Sequence, residues 1–372
     1  MVSPDSSSPR TYTAADYTDF AHTGPGTLAG RFMRTFWQPV ARAQDIPPGH
    51  AKPLRIMSED FTLFRGEDGT PHVVAPRCAH RGTQLSTGWV EGDCIRCVYH
   101  GWKYDGSGQC VEMPAEDPSY PPKVRIASYP TEEYLGLVFA YLGEGTPPPL
   151  SRYPELEEEG AEGVSTRILP YNYFNGVENS VDIVHVSFVH SESGFAEHGV
   201  AGIPEPGAEE TEYGILMADK YPNGQVRVTL FEMPTQIHLK VFPHDGSGKW
   251  RTLLSWKVPI DDASYHSFVL NAPDPSPGDR EDIALGQAIL AGQHRLRVDD
   301  IGPRAKRINL QDFVAQAGQG VIADRAHERL GRSDKAVILL RRIWERELRA
   351  LAAGRPLKPW RWPGHVAVTT GV

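Results

Sequence analysis

The stretches Cys78-Ala79-His80-Arg81-Gly82 and Cys97-Val98-Tyr99-His100-Gly101-Trp102 set a cysteine beside a histidine twice over. Two soft thiolates and two imidazoles can converge on one centre. A zinc ion would take all four tetrahedrally. A two-iron cluster would take the cysteines on one iron and the histidines on the other. Gly82 and Gly101 bear on the choice. A glycine after each ligand pair lets a tight loop turn and aim backbone N–H groups at cluster sulfurs, which zinc does not need. Cys94-Ile95-Arg96-Cys97 is also a C-x-x-C, but Cys94 and Cys110 read as ordinary buried or half-buried thiols.

Outward from these loops the chain reads as short strands. Phe61-Thr62-Leu63-Phe64 and His72-Val73-Val74 flank Asp68-Gly69, a hairpin signal. Upstream, Leu28, Phe32 and Phe36 fall at helical spacing. Downstream, 143–149 is a Gly/Pro-rich break followed by an acidic run over 155–162, and a domain boundary is expected there. Beyond it, 174–190 reads as helical. Residues 213–271 read as an antiparallel meander with turns at 222–224, 245–248 and 261–262. Residues 276–297 and 311–352 read as helices, the last with an apolar stripe of Val337, Leu340, Ile343, Trp344 and Leu348.

Composition narrows the class. The chain has 372 residues, 38 Lys and Arg against 47 Asp and Glu, and a net charge of -9. That charge is wrong for a nucleic-acid binder. No apolar run is long enough to span a membrane, and the polar start lacks the apolar core of a secretory signal. Four cysteines are too few for a disulfide scaffold. A cytoplasmic enzyme is the expected class.

A second constellation lies in Val177-Glu178-Asn179-Ser180-Val181-Asp182-Ile183-Val184-His185-Val186-Ser187-Phe188-Val189-His190. Taken singly, either histidine is most simply a core or surface residue. Together with the upstream loops they are not. The first pair of loops is similar to the Rieske signature C-x-H-R-G … C-x-x-H-G-W, and the second stretch resembles the D-x-x-H-x-x-x-x-H motif of Rieske non-haem iron oxygenases. The opening 24–40 and the ending 319–334 are similar to the phthalate-dioxygenase and vanillate-demethylase-like branch, so the resemblance covers nearly the full length.

The resemblance implies an α+β chain: an all-β Rieske [2Fe–2S] domain over 37–150 and a helix-grip (START-like) catalytic domain over 1–36 and 151–372 with an antiparallel sheet. It implies a [2Fe–2S] cluster on Cys78, His80, Cys97 and His100, and a mononuclear Fe(II) on His185, His190 and a carboxylate. With 47 acidic residues to choose from, the carboxylate is taken from Asn309–Gly320, which resembles the segment where this branch places its metal aspartate. Asp312 sits there among apolar and amide residues. Asp324 is the runner-up; with Glu328 and Asp334 it lies among Arg, His and Lys and reads as a surface ion pair.

Spacing adds a physical check. Asp182 and His185 share a helix face, so the Asp182 carboxylate can accept a hydrogen bond from the non-ligating nitrogen of His185. His185 and His190 are about 140° apart around an ideal helix, so a π-bulge or local break is expected between them.

The resemblance further implies a head-to-tail homotrimer, with electrons passing from His100 through Asp182 of the adjacent chain to His185. No G-x-G-x-x-G motif is present, so NAD(P)H would serve only indirectly, through a separate reductase and possibly a ferredoxin. The expected activity is O2-dependent hydroxylation or oxidative demethylation of a small aromatic substrate, with a place in aromatic hydrocarbon catabolism. A pure Rieske electron carrier, a cis-dihydroxylating dioxygenase and a zinc-stabilised binding protein are the alternatives. Arg227, His238, Lys240, Arg251 and Trp256 lie on predicted strands, but about half of such residues face solvent, and none is assigned to substrate. His198, His244 and His327 read as ordinary histidines.

Overall fold

The computed structural model describes residues 12–159, 163–193, 201–241, 251–271 and 278–366. The turn expected over 245–248, His198, His244 and the side chain of Arg251 lie outside them. The chain enters through α1 (Leu28–Met33), whose Thr27 hydroxyl accepts the Gly30 N–H as an N-cap. Eleven short strands follow: β1 (Trp37–Arg42), β2 (His50–Ile56), β3 (Glu59–Arg65), β4 (Pro71–Val74), β5 (Trp89–Glu91), β6 (Cys94–Arg96), β7 (Lys103–Asp105), β8 (Cys110–Glu112), β9 (Ser128–Tyr129), β10 (Thr131–Tyr134) and β11 (Leu137–Tyr141). They form three small antiparallel sheets, ordered β1-β11-β10, β2-β3-β4-β9 and β5-β6-β7-β8. The expected hairpin is β3–β4. Its turn closes where Gly69 takes φ +94 and the Asp68 carboxylate accepts the Thr70 N–H.

After α2 (Pro154–Glu159), β12 (Val164–Leu169) leads into α3 (Tyr173–Val181) and α4 (Val184–Val189). Next come β13 (Ala208–Glu210), β14 (Gly214–Lys220), β15 (Val226–Glu232), β16 (Gln236–Val241), β17 (Arg251–Asp261) and β18 (Ser264–Leu270). The last helices are α5 (Gly278–Leu290), α6 (Val298–Ile301), α7 (Ile308–Ala317) and α8 (Lys335–Ala352). Strands β13 to β18 run as an antiparallel meander, and β12 adds to its far end beside β18. The result is α+β, with one seven-stranded sheet gripped by helices.

Two helix readings are corrected. The stretch 174–190 is two helices, because Asp182 leaves helical geometry at φ -88, ψ 110. The stretch 311–352 is α7 and α8 with an irregular segment between. In α8 the expected stripe Val337, Leu340, Ile343, Trp344 and Leu348 is buried. It joins Phe20, Phe32 and Phe174 in a core that extends into the β1–β11 sheet, where Phe139 meets Trp256 edge-on at 6.0 Å. A separate small core under the cysteine loops gathers Phe64, Leu85, Ile95, Trp102 and Tyr104 around Cys78 and Cys97. Among the described residues, no helix is long and apolar enough to cross a membrane.

Candidate metal centres

The two Cys/His loops have the same backbone pattern. Cys78 C=O accepts the Gly82 N–H at 3.0 Å, and Cys97 C=O accepts the Gly101 N–H at 3.0 Å. Each cysteine N–H donates five residues on, to Thr83 and Trp102. Gly82 and Gly101 take φ +71 and +73, the left-handed region that a side chain disfavours. The loops thus turn at glycine, as their sequence required.

Both cysteines are free and buried. The His80 and His100 rings stand 4.4 Å apart, and His80 stacks on Trp102 at 4.6 Å. Burial pushes the Cys78 thiol up, with Cys97 adding to the effect against the Tyr104 hydroxyl. A metal centre would reverse that by holding thiolates. The His80 Nδ1 atom is buried with no hydrogen-bond partner. Such an orphan nitrogen is costly in isolation and fits a group that bonds to it. Cys94 is half-buried and Cys110 buried, and both are free.

A second cluster forms where α4 faces α7. Among the described residues, His185, His190 and Asp312 offer ligand atoms all within 4.8 Å of one another. Asp312 Oδ1 lies 3.2 Å from His190 Nε2 and 3.7 Å from His185 Nε2. It is buried and aligned for a hydrogen bond with neither, an arrangement suited to three ligands of one ion. Burial alone would raise the Asp312 carboxyl, but His190, His185 and Arg167 hold it below its ordinary value.

The other ring nitrogens are engaged elsewhere. His185 Nδ1 donates to the backbone carbonyl of Asp182 at 2.5 Å. His190 Nδ1 donates to the Gln311 amide oxygen at 2.6 Å. Each bond fixes a tautomer with an open lone pair on Nε2. The expected carboxylate contact to His185 is therefore corrected: the Asp182 carboxylate stands 3.8 Å from Nδ1. It instead accepts the Val184 N–H at 2.9 Å, within the turn that joins Asp182, the C-cap of α3, to Ile183, the N-cap of α4. No π-bulge separates the histidines. Helix α4 stops at Val189, and His190 lies just beyond it at φ -99, ψ 16.

Gln311 went unnoticed in the sequence. It is buried on α7, its amide NH2 donates to Ala305 C=O at 2.6 Å, and its oxygen also accepts from Ser193 at 2.9 Å. The available signal was an amide next to Asp312 inside an apolar helix. Asp324 pairs at the surface with His327 at 2.7 Å and takes no part in the cluster.

The cluster opens into a cavity of about 770 Å3 between the seven-stranded sheet and helices α3, α4 and α7. That size suits a small organic ligand. Its sheet wall includes Ser165 and Arg167 of β12, Arg227 of β15 and Lys257 of β17. His238 is not there; it is buried against Glu232 and Gln236. Trp256 packs on the opposite face against Phe139, and Lys240 pairs with Thr252.

A cluster-binding β region joined to a helix-grip sheet with a two-histidine, one-carboxylate pocket defines the class of iron oxygenase terminal components. Residues 36–130 match the Rieske [2Fe-2S] domain model. Over 88% of its length the chain is 32% identical to the phenoxybenzoate dioxygenase subunit alpha of Ectopseudomonas oleovorans, covering 84% of that protein. Over 91% it is 29% identical to the 5,5'-dehydrodivanillate O-demethylase oxygenase subunit of Sphingobium sp. SYK-6, covering 81%. The terminal oxygenase of carbazole 1,9a-dioxygenase from Nocardioides aromaticivorans IC177 superposes with a TM-score of 0.65 at 21% identity, over 91% of this chain and 98% of that one. The chain belongs to the Rieske non-haem iron oxygenases, as an oxygenase subunit. Its cofactors are a Rieske [2Fe–2S] cluster and a mononuclear iron.

Proposed function

We propose that this chain is the terminal oxygenase that hydroxylates, or oxidatively demethylates, a small aromatic substrate. The overall change is R–H + O2 + 2 electrons + 2 H+ giving R–OH + H2O. The relatives named for phenoxybenzoate and dehydrodivanillate support an aromatic substrate. The observation that carries the reading is Asp312 Oδ1 standing 3.2 and 3.7 Å from two Nε2 atoms whose rings are oriented by bonds at Nδ1.

In this reading Cys78, His80, Cys97 and His100 hold the cluster, and His185, His190 and Asp312 hold the iron. Bound, the cluster delivers single electrons and the iron activates O2 with them. The chain's own residues do the rest. Asp182 and Gln311 fix the two imidazoles, the sheet wall positions the substrate, and the cavity limits its size. An OH placed on a methyl beside oxygen or nitrogen gives a hemiacetal or hemiaminal that collapses, which is demethylation. A cis-dihydroxylation is the second outcome the same pocket could serve.

We further propose the division of the chain into 37–150 around the cluster and 1–36 with 151–372 around the iron. Electrons come from NAD(P)H through a separate reductase, directly or by way of a ferredoxin; a solved complex of a structurally similar oxygenase with its ferredoxin supports such a partner. A head-to-tail homotrimer would bring His100 of one subunit to Asp182 of the next. Asp182 is partly exposed, as a residue reached by a neighbour must be.

The test is to measure iron, zinc and acid-labile sulfide together on anaerobically purified protein. An iron-to-sulfide ratio of about three to two is expected. A ratio near one to one that added Fe(II) does not raise would leave an electron carrier, and zinc without sulfide would overturn the redox reading.

A further inference from the structure

One row of the cavity's sheet wall carries two cations that no described residue neutralises by direct contact. In the register of the sheet, Arg167 of β12 lies opposite Ser267 of β18, and Ser267 lies opposite Lys257 of β17. The three residues make one row across three adjacent strands, and all three line the cavity. Directly opposed side chains on a sheet face are close neighbours. The next row on the same face is Ser165, Val269 and Ser255. Lys257 is 8% exposed.

Of the other cavity charges, all but Lys306 have a neighbouring counter-charge or donor. Arg227 faces Asp219 across β14 and β15. Arg307 is 2.6 Å from Asp282. Asp312 is taken up by His185 and His190, and the Asp182 carboxylate by the Val184 N–H. Among the described residues, Arg167 and Lys257 make neither a hydrogen bond nor an ion pair. Burial pushes the Lys257 ammonium down to about 8, with Asp312 opposing and Arg167 reinforcing. At neutral pH the group therefore remains charged. A buried ammonium with no partner is a destabilising feature, kept only where a counter-charge arrives.

We propose that Arg167, Ser267 and Lys257 form the recognition site for a carboxylate carried by the substrate, which sets the substrate class of this oxygenase as aromatic carboxylates. The guanidinium offers a planar fork of donors, the ammonium a point charge, and the serine a hydroxyl between them. A carboxylate lying over Ser267 meets both cations. The ring it carries then extends along the cavity toward His185, His190 and Asp312. A neutral analogue of the same shape leaves the two cations unpaired, so the site rejects it by more than the lost contact alone.

This inference rests on the oxygenase reading for the position of the reacting carbon, and its test separates the two. The probes are benzoate, 3-methoxybenzoate, 4-methoxybenzoate and 3-phenoxybenzoate, each against the matching benzyl alcohol. Binding to the anaerobic holoenzyme is measured by titration calorimetry and by the shift in Tm. At least one carboxylate is expected to bind tenfold or more tightly than its alcohol. Lys257→Met is expected to raise the ligand-free Tm, to abolish the carboxylate preference and to tighten alcohol binding, because the neutral ligand no longer covers an unpaired ammonium. Lys257→Arg is expected to retain the preference, and Arg167→Gln to weaken it.

Equal binding of every acid and its alcohol to the wild type overturns the assignment. So does a preference that survives Lys257→Met. Oxygen uptake with added reductase is followed in parallel. Carboxylate preference without uptake would fault the oxygenase reading and leave the anion site standing. Uptake driven equally by the neutral analogues would do the reverse.

Discussion

Gln311 accepts the Nδ1–H of His190 at 2.6 Å, and the next residue, Asp312, faces Nε2 of the same ring at 3.2 Å. One turn of α7 therefore sets both the tautomer of one histidine and the carboxylate that completes the cluster. Gln311→Leu keeps the volume and removes the acceptor. Second-layer partners of this kind are typically worth 10–100-fold in metal affinity. Fe(II) titration of the apo site should show a loss in about that range, with the cluster's visible absorption unchanged. Unaltered Fe(II) affinity would remove Gln311 from the site.

Asp312 and Asp324 are the two carboxylates that the sequence singles out for the third ligand position. Asp312→Asn is expected to drop the iron-to-sulfide ratio from about three to two to about one to one. Asp324→Asn, at an exposed pair with His327, should leave the ratio as it was. The reverse pattern would transfer the ligand role.

Glu178 of α3 holds Arg325 at 2.8 Å and Arg341 at 2.5 Å, and Arg341 reaches on to Glu328. Glu178 is buried, so its loss leaves two guanidinium groups poorly paired. Glu178→Gln is expected to cost about 3 kcal/mol in urea unfolding. A change within about 0.5 kcal/mol, the usual size for surface substitutions, would show that the cluster is only a surface feature.

Burial pushes the Asp219 carboxyl up to about 6 from its ordinary 3.8, with the Gly207 N–H and Arg227 opposing and Asp182 reinforcing. A carboxyl that binds its proton more tightly folded than unfolded stabilises the fold below the unfolded value. That contribution is lost as pH rises through the folded value. Over this window the loss is about 3 kcal/mol at most. Asp219→Asn should flatten the stability curve between about pH 4 and about pH 6 and be more stable than the wild type at neutral pH. Parallel curves for the two proteins would contradict the burial argument.

Much of this fold is legible in the order of its residues. The Cys/His loops are local: ligand, glycine and turn lie within a few residues, and short-range backbone sterics decide their shape. The meander is legible because its turns are chemically marked and its strands alternate. The apolar stripe of α8 is legible for the same reason of periodicity. The end of α4 at Val189 is half visible, because the spacing of His185 and His190 calls for a break between them. The earlier break at Asp182 is not, nor that the Asp182 carbonyl takes the His185 proton while its carboxylate takes the Val184 N–H.

What sequence alone determined, then, is the family, the two ligand-bearing motifs and the order of elements, because each is written in neighbouring residues. Only the tertiary structure brought Asp312 and Gln311 from α7 against His185 and His190, and set Arg167, Ser267 and Lys257 in one row of the sheet. Those juxtapositions depend on strand register and helix packing between distant segments. A shift of one residue in strand register would turn the side chains of that row to the other face of the sheet.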